Sequence, residues 1–335
     1  MCASAPSPDD HVLLFSTHHI NGDLFSIAQF MEELFVLYAA ADPDAVELTP
    51  VEATFAEHVQ EQQAFLDGPE GERQWAHWSA RLAQPLPKLA LPLARPRPPV
   101  LRHHGDMVIS RLPPGLGHGL KGLAKAEGTT FFMALLTAFY ALLFDLTRQT
   151  DLFVGTPVPG RRGESRFERT MGTFVNVLAL RVGLDGDVPL RELIARVSTA
   201  VREGRENQDF PFPRLVEKLK LPRDSSRTPV FQSYFTLQRL GGPHADWLAF
   251  FLPTTTPLEV DVGDMKIGTL PLPQQEGQME LAVHVYDVGG ELYSEFKYNT
   301  DLFDAATVTR WMERYERLLG LLIAHPDDTL AALLA

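Results

Sequence analysis

Cysteine is almost missing from the 335-residue sequence, since Cys2 is the only one. A lone cysteine excludes an internal disulfide and a cysteine-rich zinc site, and it is typical of proteins from a reducing cytoplasm. Basic residues are also scarce, with 30 Lys and Arg against 43 Asp and Glu. The resulting net charge of −13 has the wrong sign for binding phosphate backbones, so we expect no nucleic-acid partner.

Long hydrophobic runs are missing as well. The most apolar stretch, Phe131 to Phe144, suits one buried helix but is too short to cross a bilayer core of about 30 Å. The first ten residues, MCASAPSPDD, have neither a basic segment nor an apolar core, so they do not resemble a signal peptide. With 45% hydrophobic residues, the sequence predicts a soluble cytoplasmic protein with a sizeable core and no membrane partner.

Short apolar segments alternate with amphipathic ones, which predicts an α/β fold with mixed sheets. Strands are expected at 12–15, 106–112, 172–182 and twice within 279–299, and the segment 151–162 is expected to be a strand running into a Gly/Pro loop. Helices are expected at 27–38, 52–83, 116–127, 131–146, 190–206 and 308–323. The first strand is apolar throughout, as in strands buried on both faces. The proline-dense segment 84–100 is expected to be an extended connector, because each proline removes a backbone donor.

The segment FSTHHINGDLFS (15–26) places His18, His19 and Asp23 where a predicted strand passes into a predicted helix. Side chains alternate along a strand, so we expect one histidine to pack inward and the other to face a cleft. This geometry argues against a shared metal ion. Asp23 has two interpretations, a helix cap or a carboxylate paired with a buried arginine. Ser26 and Gln29 have the spacing of a capping box.

Five segments resemble, in order, the motifs of the condensation domains of nonribosomal peptide synthetases, within the chloramphenicol-acetyltransferase-like superfamily. These are 18–24 (HHxxxDG), 154–161 (VGTPVxGR), 171–181 (IGxFVNTxxLR), 207–219 (HQDxPFExLVExL) and 223–232 (RDxSRxPxFQ). The similarity extends from about residue 11 to about residue 330. The resemblance implies an α/β (α+β) fold of chloramphenicol-acetyltransferase-like mixed sheets with flanking helices, in two lobes with a tunnel between them.

The resemblance also implies acyl transfer. Donor and acceptor carrier proteins would present thioesters on phosphopantetheine, and the acceptor amine would attack the donor thioester to form an amide. The domain itself would bind no cofactor, and an adenylation domain would be a neighbour. Ester formation on an alcohol acceptor is an alternative within the superfamily, and a degenerate chain that only docks carriers or partners is another.

Site roles follow from the matched motifs. His19 would be catalytic, by taking a proton from the amine or by orienting it. His18 would be its inward structural partner, and Asp23 would pair with Arg161. Glycines 155 and 160 would let the loop before Arg161 turn tightly. Candidates for lining the tunnel are Leu24, Asn176, Arg181 and Thr228. Arg95 and Arg97 are candidates for meeting an acidic carrier surface.

The sequence departs from the family pattern in three ways. Leu24 stands where the motif ends in glycine, which is expected to narrow or reshape the site. Asn207 and Pro213 replace a histidine and a glutamate, with effects expected only on local capping. The family has most of its N-terminal lobe before the histidines, whereas about ten residues precede the first strand here.

We therefore expect a disordered tail at 1–10, a remnant of the N-terminal lobe at 11–100, a C-terminal lobe at 101–330 and the start of a linker at 331–335. An incomplete N-terminal lobe would expose apolar surface. The expected explanations are a fragment, a misplaced start codon, or a chain that pairs with a separately encoded lobe.

Overall fold

The computed structural model describes residues 2–7, 10–161, 166–239, 259–262, 264–270, 276–288 and 290–334. Its helices are α1 (Leu24–Ala39), α2 (Phe55–Leu66), α3 (Pro69–Arg81), α4 (Leu116–Ala126), α5 (Phe131–Thr147), α6 (Leu190–Glu206), α7 (Phe212–Leu219), α8 (Ala305–Ala324) and α9 (Leu330–Leu334). Its strands are β1 (Cys2–Ser7), β2 (Asp10–Leu14), β3 (Gly105–Arg111), β4 (Asp151–Val158), β5 (Asn176–Gly183), β6 (Ser233–Arg239), β7 (Glu259–Val262), β8 (Met265–Gly268), β9 (Leu281–Val288) and β10 (Glu291–Asn299).

Six strands form the main sheet, in the order β3-β10-β9-β6-β4-β5. Strand β6 runs parallel to both of its neighbours, β4 and β9, and the remaining pairs are antiparallel. The predicted mixed α/β class is therefore confirmed. The hairpins β1-β2 and β7-β8 form two small separate sheets. The turn expected between β9 and β10 includes Gly289, which lies outside the described residues.

The core lies between the main sheet and the helices α4, α5, α6 and α8. Helix α5 is buried from Phe131 to Asp145 apart from Phe132, as its nearly continuous apolar sequence predicts. The α5 ring of Phe139 stacks on Phe235 of β6 with ring centroids 5.6 Å apart. The hydroxyl of Tyr315 on α8 donates to the carbonyl of Leu135, 3.1 Å away.

The predicted helical region 52–83 is two helices, and α3 belongs to the same core. Trp78 is buried, and its indole Nε1 donates to the carbonyl of Asn207 at 2.8 Å. Asn207, expected to affect only local capping, is buried and also accepts from Arg73 Nη1 at 3.0 Å. Its side chain therefore helps to join α3 to the end of α6. Pro213 occupies the first turn of α7, where a missing backbone donor costs nothing.

The connector 84–100 is extended, as predicted, and is fastened along the molecule. Arg97 Nη2 donates to Glu280 at 2.7 Å, and Arg227 Nη1 donates to the other oxygen of the same buried carboxylate at 3.2 Å. Arg95 Nη1 donates to the carbonyls of Thr300 and Phe303. Internal acceptors thus hold both guanidinium groups, and the role of Arg95 and Arg97 in meeting a carrier stays a prediction.

The N-terminal segment differs from the expectation of a loose tail. Strand β1 pairs antiparallel with β2, and Cys2 lies opposite Leu14. Strand β2 was expected to be buried on both faces, but Leu13 and Leu14 are exposed. The reason is that β2 pairs with β1 alone in the described part of the chain and does not join the main sheet.

Helix α1 presents its polar side to the protein. The buried residues are Ser26, Ala28 and Gln29, whereas Val36 is 44% exposed and Tyr38 is 71% exposed. A typical surface helix has the opposite arrangement, with the apolar stripe inward. We call Phe25, Val36 and Tyr38 the exposed apolar residues of α1. At 3.6 residues per turn, Phe25 and Val36 lie on the same side of the helix as Gln29, and Tyr38 lies on the opposite side.

In the described part of the chain, no single helix has both the length and the hydropathy to span a membrane. Helices α4 and α5 meet that criterion only as a pair bent by 103°.

Candidate functional site

Both histidines of the FSTHHINGDLFS segment lie beyond the end of β2. His19 begins a short 3-10 turn, His19–Asn21, and the Nδ1 of His18 accepts from the backbone N–H of Ile20 at 3.1 Å. Both histidines are exposed. The expected inward packing of His18 was wrong, because the strand has already ended at Leu14 and its alternation of faces no longer applies. His18 shapes the turn by capping it.

Asp23 follows the turn and is buried, with 5% exposure. Its Oδ1 accepts from the backbone N–H of Ser26 at 3.0 Å, so Asp23 caps α1. Its two carboxylate oxygens also accept from Arg161 Nη1 at 2.8 and 2.7 Å. The two interpretations of Asp23 are therefore both correct, and the carboxylate serves the helix and the arginine together.

The electrostatic environment keeps Asp23 ionised. Burial alone would raise the pKa of its carboxyl, but the Arg161 guanidinium and the backbone N–H groups of Ser26 and Phe174 outweigh burial and lower that pKa. A carboxylate with these partners has no reason to accept a proton at neutral pH. This agrees with a structural role for Asp23 rather than that of a base.

Arg161 comes from the loop after β4 and reaches across the site. Its Nη2 donates to the Ser26 hydroxyl at 2.7 Å and to the carbonyl of Thr170 at 2.8 Å. Its guanidinium carbon lies 4.1 Å from the centre of the Phe174 ring, a distance typical of a cation–π contact. One side chain thus contacts the start of α1 and the loop before β5.

Ser26 is fully buried and was not among the predicted site residues. Its hydroxyl lies 3.1 Å from Asp23 Oδ1 and 2.9 Å from the carbonyl of Gly172, and it accepts from Arg161 Nη2 and from the N–H of Gly172. The predicted capping box of Ser26 and Gln29 was wrong, because Asp23 caps the helix. The sequence signal that could have identified Ser26 is its position three residues after an aspartate cap.

The loop before β5 supplies the other side of the site. The backbone N–H of Asp23 donates to the carbonyl of Gly172 at 3.1 Å, and the N–H of Phe174 donates to Asp23 Oδ2 at 3.1 Å. Between them, the hydroxyl of Thr173 donates to the carbonyl of His19. The HHxxxD, VGTPVPGR and MGTFVN segments therefore meet at one place.

The two glycines of VGTPVPGR act differently from the expectation of a tight turn. Gly155 lies inside β4, where a Cβ would come within 2.3 Å of the Phe231 ring. Gly160 lies in the loop, where a Cβ would come within 1.9 Å of the carbonyl oxygen of Phe174. Neither has a positive φ, so both are required by close approach of neighbouring groups rather than by a turn.

Leu24 is the first residue of α1 and is half-buried. Its backbone is helical and its φ is not positive, so the conformational freedom of glycine is not used at this position. The difference from the family motif is therefore one of side-chain volume next to the histidine turn.

Asn176, Arg181 and Thr228 are bound to backbone or to Asp151. Asn176 Nδ2 donates to the carbonyls of Gln208 and Phe210, both at 2.8 Å. Arg181 donates to Asp151 at 2.9 and 2.6 Å, and the Thr228 hydroxyl donates to the carbonyl of Phe231 at 2.5 Å. Asn176 therefore holds the 207–219 segment to the sheet, Arg181 joins β5 to β4, and Thr228 bonds within its own segment. None of these hydrogen bonds reaches the histidine turn.

Within the described ranges, no group of three or more His, Cys, Asp or Glu side chains has the arrangement of a metal site. The chemistry available at the site is that of an exposed imidazole on a firmly held turn, next to a buried ion pair.

Comparisons with known proteins agree with one another. The profile of the family described as Condensation domain matches residues 5–334. A linear gramicidin synthase polypeptide of Brevibacillus parabrevis is 35% identical over 333 residues, which are 97% of this chain and 4% of that protein. Chondramide synthase of Chondromyces crocatus is 34% identical over 321 residues, which are 94% of this chain and 8% of that protein. The chain thus spans a small part of the curated relatives it matches.

Two solved structures share the fold. A holo four-domain nonribosomal peptide synthetase, solved with AMP and glycine, has a TM-score of 0.83 and 29% identity, over 93% of this chain and 23% of the other. The X-domain from teicoplanin biosynthesis has a TM-score of 0.81 and 25% identity, over 94% of this chain and 70% of the other.

Proposed function

The chain belongs to the condensation-domain family, and on that premise we propose that it forms an amide between two carrier-bound substrates by acyl transfer. The observation that supports this most directly is the exposed His19 on a turn held by the buried Asp23, Ser26 and Arg161. A catalytic group must be accessible to substrate and yet fixed in position, and this arrangement supplies both.

In the proposed reaction, the acceptor amine attacks the donor thioester carbonyl. A C–N bond forms, the C–S bond breaks, and the phosphopantetheine thiol leaves with the proton that the amine loses. His19 takes that proton or orients the amine, and a histidine is suited to either task near neutral pH. Asp23 and Arg161 hold the turn and do not exchange protons with substrate.

The proposed partners are a donor and an acceptor carrier protein loaded with thioesters, together with an adjacent adenylation domain. The phosphopantetheine arms belong to the carriers, so the domain needs no cofactor of its own for these steps. Support for the multidomain setting comes from the similarity to one part of a four-domain synthetase and to a small part of the linear gramicidin synthase polypeptide.

A further proposed partner is the N-terminal lobe of the family fold, on a polypeptide distinct from these 335 residues. Its docking surface is the exposed surface of α1, which includes the exposed apolar residues Phe25, Val36 and Tyr38. The present chain covers 70% of the solved X-domain chain, and the part of the X-domain chain that is not covered is large enough to contain such a lobe.

Replacement of His19 tests the proposed function. We expect His19→Ala to abolish product formation between donor and acceptor carrier proteins loaded with a panel of aminoacyl groups, detected by intact-protein mass spectrometry. His118→Ala is the matched control, because His118 is an exposed histidine on α4. Mild base releases the product from the acceptor carrier by cleaving its thioester. A released product that keeps the transferred acyl group supports an amide, whereas loss of that group from product formed with hydroxyacyl acceptors supports ester formation. If neither wild type nor His19→Ala forms product, although both still bind the carriers, the docking alternative is supported.

A further inference from the structure

The orientation of the His19 ring depends on its backbone. The His19 side chain is exposed, and within the described residues its imidazole makes no hydrogen bond. The bonds inside the turn are local: the N–H of Gly22 donates to the His19 carbonyl at 3.3 Å, and the N–H of Asn21 donates to the His18 carbonyl at 3.0 Å. A short 3-10 turn with such bonds is weakly held by itself.

External support for the turn comes from the loop before β5. At the end of the turn, Gly172 and Phe174 bind Asp23 through backbone groups. At its start, the Thr173 hydroxyl donates to the carbonyl of His19. Among the described residues, this is the one hydrogen bond that reaches His19 from outside the turn. Threonine suits this task because its β-branched side chain has few χ1 rotamers.

We propose that Thr173 is a positioning residue for His19, which it serves by fixing the carbonyl at the start of the turn. Thr173 occupies the unspecified position of the IGxFVN motif, so the family resemblance assigns it no role. The proposal rests on the proposed function, since it concerns the orientation of the catalytic imidazole. Small misplacements of a reacting group are costly, with a shift of 1 Å reducing the rate by about 100-fold.

A pair of substitutions separates the hydroxyl from the rest of the side chain. Thr173→Val keeps the β-branch and removes the donor, whereas Thr173→Ser keeps the donor. We expect Thr173→Val to lower kcat for product formation by about 10- to 100-fold with little change in KM for the acceptor carrier, and Thr173→Ser to restore most of the rate. Thr309→Val is the matched control, because Thr309 on α8 also donates to a backbone carbonyl, that of Ala305 at 2.8 Å.

A second measurement keeps this proposal separate from the proposed function. NMR of the histidine rings, with the His19 signals assigned by their loss in His19→Ala, is expected to show shifted or broadened His19 signals in Thr173→Val and native signals in Thr173→Ser. If His19→Ala remains fully active, the proposed function fails while the NMR result still tests Thr173. Unchanged rate and unchanged His19 signals in Thr173→Val would overturn the proposal, as would equal losses in the Val and Ser variants.

Discussion

At the scale of single residues, the site depends most on Arg161. Its guanidinium donates to Asp23, to the Ser26 hydroxyl and to the Thr170 carbonyl, and its central carbon lies over the Phe174 ring. The planar fork of arginine serves several acceptors at fixed angles, which a lysine ammonium does not. The pair is largely removed from water, with side-chain exposures of 10% for Arg161 and 6% for Asp23. Loss of one partner would leave the other as an uncompensated buried charge.

We therefore expect Arg161→Met to lower the free energy of unfolding by about 3 to 5 kcal/mol, measured by urea denaturation. The double variant Asp23→Asn/Arg161→Met is expected to be more stable than Arg161→Met, because it leaves no buried charge. Arg196→Met is the control, since its ion pair with Glu192 is exposed and is worth less than about 1 kcal/mol. Equal losses in the single and double variants would contradict a charge-based cause.

At the scale of elements, the central strands carry a polar face opposite the core. Val283 and Val285 of β9 point into the core, so His284 and Tyr286 lie on the other face. His284 Nδ1 is 2.8 Å from the Thr236 hydroxyl of β6. On the same face of the sheet, towards the other neighbouring strand, the Tyr286 hydroxyl donates to Glu295 of β10 at 2.7 Å.

The buried His284 on β9 should therefore make the free energy of unfolding fall in acid. Burial, with a smaller effect from Lys297, lowers the pKa of His284 to about 4, whereas an unfolded histidine titrates near pH 6.5. The unfolded chain then binds more protons below pH 6.5, so the stability due to neutral His284 is full above that pH and is lost as the pH falls towards 4. Glu295 has the opposite effect on stability. Burial raises the pKa of its carboxyl, so the folded protein binds this proton more readily than the unfolded chain does and gains stability as the pH falls.

We expect His284→Gln to flatten the fall in unfolding free energy between pH 6.5 and 4.5, by up to about 1.4 kcal/mol per pH unit. Urea unfolding at several pH values measures this slope. His118→Gln serves as the control, because His118 is exposed on α4 and its change should leave the slope as it is in wild type. A slope that is the same in His284→Gln and wild type would contradict the prediction.

Periodicity was sufficient for the elements of the core. The helix at 190–206 has the bounds that the sequence predicts, and the segment 151–162, predicted as a strand running into a loop, begins with β4. Continuous or amphipathic apolar patterns decide both. The family motifs, rather than periodicity, indicated the pairing of Asp23 with Arg161. Local patterns could not reveal that β2 ends at Leu14 or that Ser26 binds Gly172, because the latter contact joins residues 146 positions apart. The helical pattern of α1 likewise did not show which of its sides faces the protein.

At the scale of the whole molecule, the exposed apolar residues of α1 predict how the chain behaves in solution. Val36 and Tyr38 add to the exposed apolar area of Leu13 and Leu14, and large exposed apolar surfaces promote association. We expect the isolated chain to bind a hydrophobic dye and to self-associate in sedimentation velocity, and the double variant Val36→Lys/Tyr38→Lys to do both less. Val100→Lys is the control, because Val100 is also exposed but lies in the connector.

The same variants test the proposed lobe. The probe is the N-terminal lobe of the condensation domain matched in the linear gramicidin synthase polypeptide, added as a separate chain. A one-to-one complex with wild type and with Val100→Lys, lost in Val36→Lys/Tyr38→Lys, is the expected result. A monomeric wild-type chain that binds neither dye nor lobe would contradict the docking surface on α1.

The long sequence separation within the site has a consequence for the order of folding. Asp23 is joined to Arg161 and to Phe174 across 138 and 151 residues. Contacts between such distant residues form only after a large loop has closed, and during synthesis only after the later segment has emerged. A nascent chain that stops before Phe174 therefore contains both histidines but no site. The histidine turn therefore gains its native orientation only after the segment that contains Phe174 has been synthesised.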